Sequence, residues 1–84
     1  MDIACTEDVW TKVATGITKG RIEAIDAPRV VKFYAVVPTG DPAPAQGAQD
    51  GRITSAAVID GSVSMDIYCY PVATPCQVRT VTIL

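Results

Sequence analysis

The side chains able to do chemistry are few, and their spacing argues against most reactions. Histidine is absent, which removes the commonest general base and the imidazole metal ligand. The chain carries three cysteines, Cys5, Cys69 and Cys76. A zinc site normally takes four ligands, with paired Cys-x-x-Cys or histidine spacing, and these three have no such spacing. Cys69 and Cys76 flank a turn and can face each other, so an oxidised pair stays open. The plainer reading is of buried thiols acting as small hydrophobes. Among the carboxylates, Asp60 fits the Asp60-Gly61 turn and Asp26 the turn before Pro28. Asp66 alternates with tyrosines, as a solvated strand face would. No serine sits in a Gly-x-Ser-x-Gly elbow, and no phosphate-loop or dinucleotide glycine pattern occurs. No catalytic residue, cofactor or metal site is therefore expected, and the chain reads as a non-enzyme.

What remains is surface recognition. The aromatic residues are Trp10, Phe33, Tyr34, Tyr68 and Tyr70. Exposed rings of this kind can form a sugar platform or stack on bases; they also serve as cross-strand packing or as anchors of a protein interface. Protein contact is the favoured use, with Trp10, Val30, Tyr34, Val36, Tyr68 and Tyr70 as the candidate interface. A net charge of −2 with lysines and arginines spread evenly lacks the basic stripe of a nucleic-acid binder. Apolar runs such as Ala35-Val36-Val37 fall far short of the ~20 residues of a membrane span. The opening Met1-Asp2-Ile3-Ala4-Cys5 has no basic and apolar signal regions, which makes the cytoplasm the expected place of synthesis, with its thiols reduced.

The elements that would position these residues read as short strands. Val9–Ala14 alternates Val9, Thr11 and Val13 against Trp10, Lys12 and Ala14; Gly20–Ile25 follows and stops at Asp26-Ala27-Pro28. Arg29–Val37 is the strongest signal. Val31, Phe33, Ala35 and Val37 share one face and Val30, Lys32, Tyr34 and Val36 the other, with Phe33 placed in the core. Both faces are largely apolar, as in a strand covered on two sides or meeting another subunit. Pro38–Gly51, with three prolines and three glycines, is a loop. Its length is near the limit for a structureless connection.

Arg52–Ile59 reads as a strand, Asp60-Gly61 as a hairpin turn, and Ser62–Tyr70 as a strand with Val63, Met65, Ile67 and Cys69 inward. Cys76–Leu84 closes the chain, with a bulge between Val78 and Val81. About six strands at this spacing predict an all-β fold, a small antiparallel sandwich or barrel. Residues 1–8 form an arm or edge segment and residues 9–84 a single β-domain. A chain of 84 residues buries only about 60–65% of its unfolded surface, so its core is thin and partner subunits would help it.

Val9-Trp10-Thr11-Lys12-Val13-Ala14-Thr15-Gly16, the apolar central strand, the tip Pro38-Thr39-Gly40-Asp41-Pro42-Ala43-Pro44 and the later Asp60-Gly61 with Ile67-Tyr68-Cys69-Tyr70 resemble small β-domain virion proteins of tailed bacteriophages. The likeness covers roughly Val9 to Tyr70, and cysteines are a departure from it. It implies a non-enzymatic capsid decoration or cement protein, located in the virion after assembly in the host cytoplasm. The implied partners are copies of itself, a trimer being one fitting state, and a larger virion protein such as the major capsid protein. A tail or head-fibre adaptor, or a small carbohydrate- or receptor-binding module, is the alternative.

Overall fold

The β-branched and aromatic runs of the sequence become strands in the computed structural model, which describes residues 2–25, 31–53 and 56–82. There are six: β1 (Asp2–Cys5), β2 (Thr11–Ala24), β3 (Lys32–Pro38), β4 (Gly51–Arg52), β5 (Ala56–Pro71) and β6 (Cys76–Thr82). They form one antiparallel sheet in the order β1-β6-β2-β5-β3-β4. Among the described residues there is no helix. The all-β expectation is met. Within the segment 1–8, expected as an arm or edge segment, residues 2–5 form edge strand β1, paired with β6 from Asp2↔Arg79 to Cys5↔Cys76.

Two expected breaks are not breaks. Val9–Ala14 and Gly20–Ile25 were read as separate strands, yet Thr11–Ala24 is continuous. Asp60-Gly61 does not reverse the chain; it lies inside the 16 residues of β5. The cause is long-range pairing that outweighs local turn preference. The two long strands accommodate the irregular residues as bulges, the register stepping from Lys12↔Tyr68 to Ala14↔Ile67, then to Ile17↔Met65 and then to Lys19↔Asp60. Gly16 lies in the second step in a left-handed conformation (φ 64°), which a residue with a Cβ adopts only with strain. In the third step residues 61–64 of β5 stand against Thr18 alone. The bulge expected between Val78 and Val81 is absent, because β6 pairs with β2 in unbroken register from Val78 to Thr82.

The bulges divide each long strand into two working halves. The start of β2 and the end of β5 join β3 and β4; the end of β2 and the start of β5 join β6 and β1. The sheet wraps so that these halves face each other across a core of Val13, Ile22, Ile53, Ile59, Ile67, Val78 and the three cysteines. Pairings Tyr34↔Cys69 and Val36↔Ile67 set Tyr34 and Val36 against that core. Phe33, expected inside, takes the other face opposite Tyr70. Val63, also expected inside, is exposed. Arg29, Val30, Ile83 and Leu84, assigned to strands from the sequence, lie outside the described residues, as does the Asp26-Ala27-Pro28 stop.

Asp66 is the largest correction. Read as a solvated side chain, it is 1% exposed. It accepts the Gly16 N–H at 3.0 Å and the Thr39 hydroxyl at 3.3 Å, and pairs with Lys12 Nζ at 3.4 Å. One carboxylate thus clamps the β2 bulge, the exit of β3 and the middle of β5. The Gly16 N–H, helped by Lys12 and opposed by burial, lowers its pKa below the ordinary carboxylate value.

Because the folded-state value is depressed, this contribution is complete above pH ~4 and is lost as pH falls through the folded value. Acid titration followed by near-UV circular dichroism is expected to show Asp66→Asn with a flatter loss of stability below pH ~4 and lower stability at neutral pH. Gly16→Ala, by forcing a Cβ into left-handed backbone, is expected to cost about 1–2 kcal/mol in urea unfolding. Gly51→Ala is expected to cost about 1–3 kcal/mol, since its Cβ would sit 2.8 Å from the Tyr34 ring.

Candidate interaction surfaces

The outer face of β3 and β5 carries an aromatic row. Cross-strand pairing aligns Phe33 with Tyr70 and Ala35 with Tyr68, while Lys12 of β2 pairs with Tyr68 from the other side. Trp10, just before β2, packs on Tyr70 with ring centroids 5.2 Å apart and planes tilted by 59°, a favourable aromatic geometry. Lys12 Nζ lies 5.8 Å from the Tyr68 ring centroid, within cation–π range. The apolar alternation of this segment builds the row, because directly opposed residues of an antiparallel pair share a face.

The proline-rich loop covers it. Trp10 Nε1 donates to the Ala45 carbonyl at 3.2 Å, and Gln46 Nε2 donates to the Tyr70 hydroxyl at 3.3 Å. The far end of the loop is tied to β3, where the Asp50 N–H donates to the Tyr34 carbonyl and the Val36 N–H donates to Asp50 Oδ2 at 2.7 Å. Tyr68 is consequently only 6% exposed. Between loop and rings stays a hollow of about 210 Å³ lined by Trp10, Phe33, Gln46, Gly47, Gln49 and Tyr70.

The six interface candidates are thus divided. Trp10 and Tyr70 meet at this hollow, Tyr68 lies beneath the loop, and Tyr34 and Val36 pack on the opposite, core side. Val30 falls outside the described residues. The sequence places Phe33 in the core rather than on this face and does not single out the loop amides Gln46 and Gln49. The Phe33–Tyr70 alternation was the available signal for the ring, and nothing in the loop marked the amides.

A different surface is left open. The stretch 56–60 of β5 pairs with β2 on one side, whereas β3 reaches only residues 65–71. Among the described residues no strand pairs along the other side of 56–60. Val58 in that stretch is 74% exposed, and Val63 in the adjoining bulge is exposed as well. A shallow hollow of about 170 Å³ lined by Lys19, Gly20, Val58, Ile59 and Asp60 flanks it. An unpaired strand edge with exposed β-branched residues is a template for another strand. Another hollow, of about 400 Å³, opens beside the first half of β2 and is lined by Ile3, Val13, Ala14, Ile17, Lys12, Thr15 and Thr80.

The three cysteines converge. Cys5, Cys69 and Cys76 come from β1, β5 and β6, all are buried, and their sulfurs lie within 4.8 Å of one another. None forms a disulfide. The turn between Cys69 and Cys76 makes their approach legible in the sequence, but the arrival of Cys5 depends on the wrap of the sheet. Hydrogen bonding with Cys5, then burial, pushes the Cys69 thiol far above the ordinary thiol range, so the group is a neutral thiol at physiological pH.

Comparison with protein-family models, with curated proteins and with solved structures finds no match.

Trp10→Ala removes the ring that stacks on Tyr70 and the donor that holds Ala45. The expected result is faster limited proteolysis within residues 39–50 and a loss of about 2 kcal/mol in urea unfolding, roughly half the cost of deleting a fully buried ring.

Proposed function

We propose that the chain is a non-enzymatic structural protein that associates with copies of itself and cements a larger shell, with a virion as that shell. The reading is carried by one observation: the edge of β5 at residues 56–60 with which no described strand pairs, where Val58 is 74% exposed. Antiparallel addition of the same stretch from a second copy would satisfy the outward backbone groups of both and bury Val58. Such a contact is isologous and closes on itself. A short edge gives weak pairwise affinity, which suits a protein acting in many copies on a repeating lattice, where avidity multiplies small contacts. The larger partner under this reading is a shell protein such as the major capsid protein, and assembly takes place in the host cytoplasm.

The outer aromatic face contributes less to assembly than the sequence suggested, because the loop already covers most of it. Its remaining hollow favours a second reading. Trp10, Phe33 and Tyr70 beside the amides of Gln46 and Gln49 combine apolar ring faces with polar groups that fix orientation, the usual make-up of a small-ligand site. A carbohydrate- or receptor-binding module uses such a site. Glycan-array binding that disappears in Tyr70→Ala would favour it over the assembly reading.

Sedimentation velocity over a range of concentrations tests assembly. Wild-type protein is expected to shift from monomer to a defined oligomer as concentration rises. Val58→Lys, which adds a charge at an exposed position and leaves the core intact, is expected to stay monomeric with unchanged thermal stability. A wild-type chain that remains monomeric at millimolar concentration would overturn the proposal.

A further inference from the structure

The thiol cluster has the make-up of a metal site. Its three sulfurs come from three strands and sit within 4.8 Å of one another. Metal–thiolate bonds of about 2.3 Å arranged in a planar trigon place sulfurs about 4.0 Å apart. The cluster therefore needs to contract by less than about 1 Å, well within rotamer adjustment of three cysteines.

The donor set selects the ion. Structural zinc takes four ligands, and iron–sulfur clusters are held by four cysteines. Here, among the described residues, no histidine or carboxylate joins the three sulfurs. Soft thiolate donors favour copper(I), whose filled d shell tolerates three-coordination. A further feature fits. A surface hollow of about 200 Å³ lined by Ala4, Cys5, Pro75, Cys76 and Gln77 leads to two of the three thiols and supplies an entry path.

We propose that Cys5, Cys69 and Cys76 form a buried three-coordinate site for copper(I). Binding exchanges thiol protons for the metal: each S–H that becomes a ligand releases its proton to water, a Cu–S bond forms, and neither sulfur nor copper changes oxidation state. Because Cys5 lies on β1, Cys76 on β6 and Cys69 on the later half of β5, the ion acts as a clip between the two halves of the sheet. A chain of 84 residues lies just above the ~70–80 residues below which structural metals commonly supplement packing. The site is independent of the assembly surface at residues 56–60, so either proposal can fail alone.

The test uses the full chain, reduced and anaerobic, titrated with copper(I) supplied as its acetonitrile complex against bicinchoninate as competing chelator. The expected result is one copper per chain withdrawn from the chelator and a raised thermal midpoint. X-ray absorption is expected to show three sulfur neighbours. Cys5→Ser and Cys76→Ser are each expected to weaken binding by more than the roughly 10–100-fold seen when a supporting partner is lost. Since a serine variant can fail to fold, the sulfur count on the wild-type protein is the independent readout. Copper left with the chelator, a two-sulfur shell, zinc(II) displacing copper(I) from the protein, or a native disulfide between any two of the three would overturn the proposal.

Discussion

Asp66, Ile67, Tyr68 and Cys69 are four consecutive residues of one strand, and all four are buried. Successive side chains of a strand point to opposite faces, so this stretch of β5 must be covered on both. A chain of 84 residues has little material with which to do that. The two solutions differ. Ile67 and Cys69 are covered by wrapping the sheet back over them, which brings in β1 and β6. Tyr68, with Ala35 beside it, is covered by laying the proline-rich loop across the outer face and fastening it through Trp10 and Tyr70. Much of what is unusual in the fold follows from this double coverage.

The wrap requires two long strands to change direction without ending. Gly16 and residues 61–64 provide the irregular steps, and Asp66 ties them to the start of the loop through the Gly16 N–H and the Thr39 hydroxyl. The loop start is bonded a second time, because the Thr39 N–H donates to the Ser64 carbonyl at 3.1 Å. The same carboxylate holds Lys12, whose stem and charge lie beside Tyr68. A buried carboxylate without partners would be costly; with three donors aimed at it, it couples the bend on one side of the sheet to the cover on the other.

The strands themselves were legible because β-branched and aromatic residues recur with period two, and so was the loop, where prolines and glycines abolish any period. The faces were not. Arg29–Val37 is apolar on both sides, and when both faces can be buried the pattern does not say which one meets the core. Phe33 and Tyr34 accordingly exchanged places relative to expectation. Asp60-Gly61 has the local chemistry of a hairpin turn, yet pairing with β2 on both sides of it carries the strand on through the bulge at residues 61–64. Asp66 looked like part of a polar face because its three donors come from positions 50, 54 and 27 residues away. The third member of the thiol cluster was invisible for the same reason: only the wrap brings Cys5 beside Cys69.

The two halves of β5 thus have opposite characters. The later half is closed on every side by its own chain, while among the described residues no strand pairs with one edge of the stretch 56–60, where Val58 is exposed. The contact proposed with a second copy therefore falls away from the aromatic residues, on the first half of the strand. Hydrogen exchange measured amide by amide, in dilute and concentrated protein, reads both halves in one experiment. The account predicts that amides of residues 66–69 are strongly protected at every concentration, while the outward amides of 56–60 exchange fast in dilute solution and slow as copies associate. Rapid exchange at 66–69, or exchange at 56–60 that ignores concentration, would contradict it.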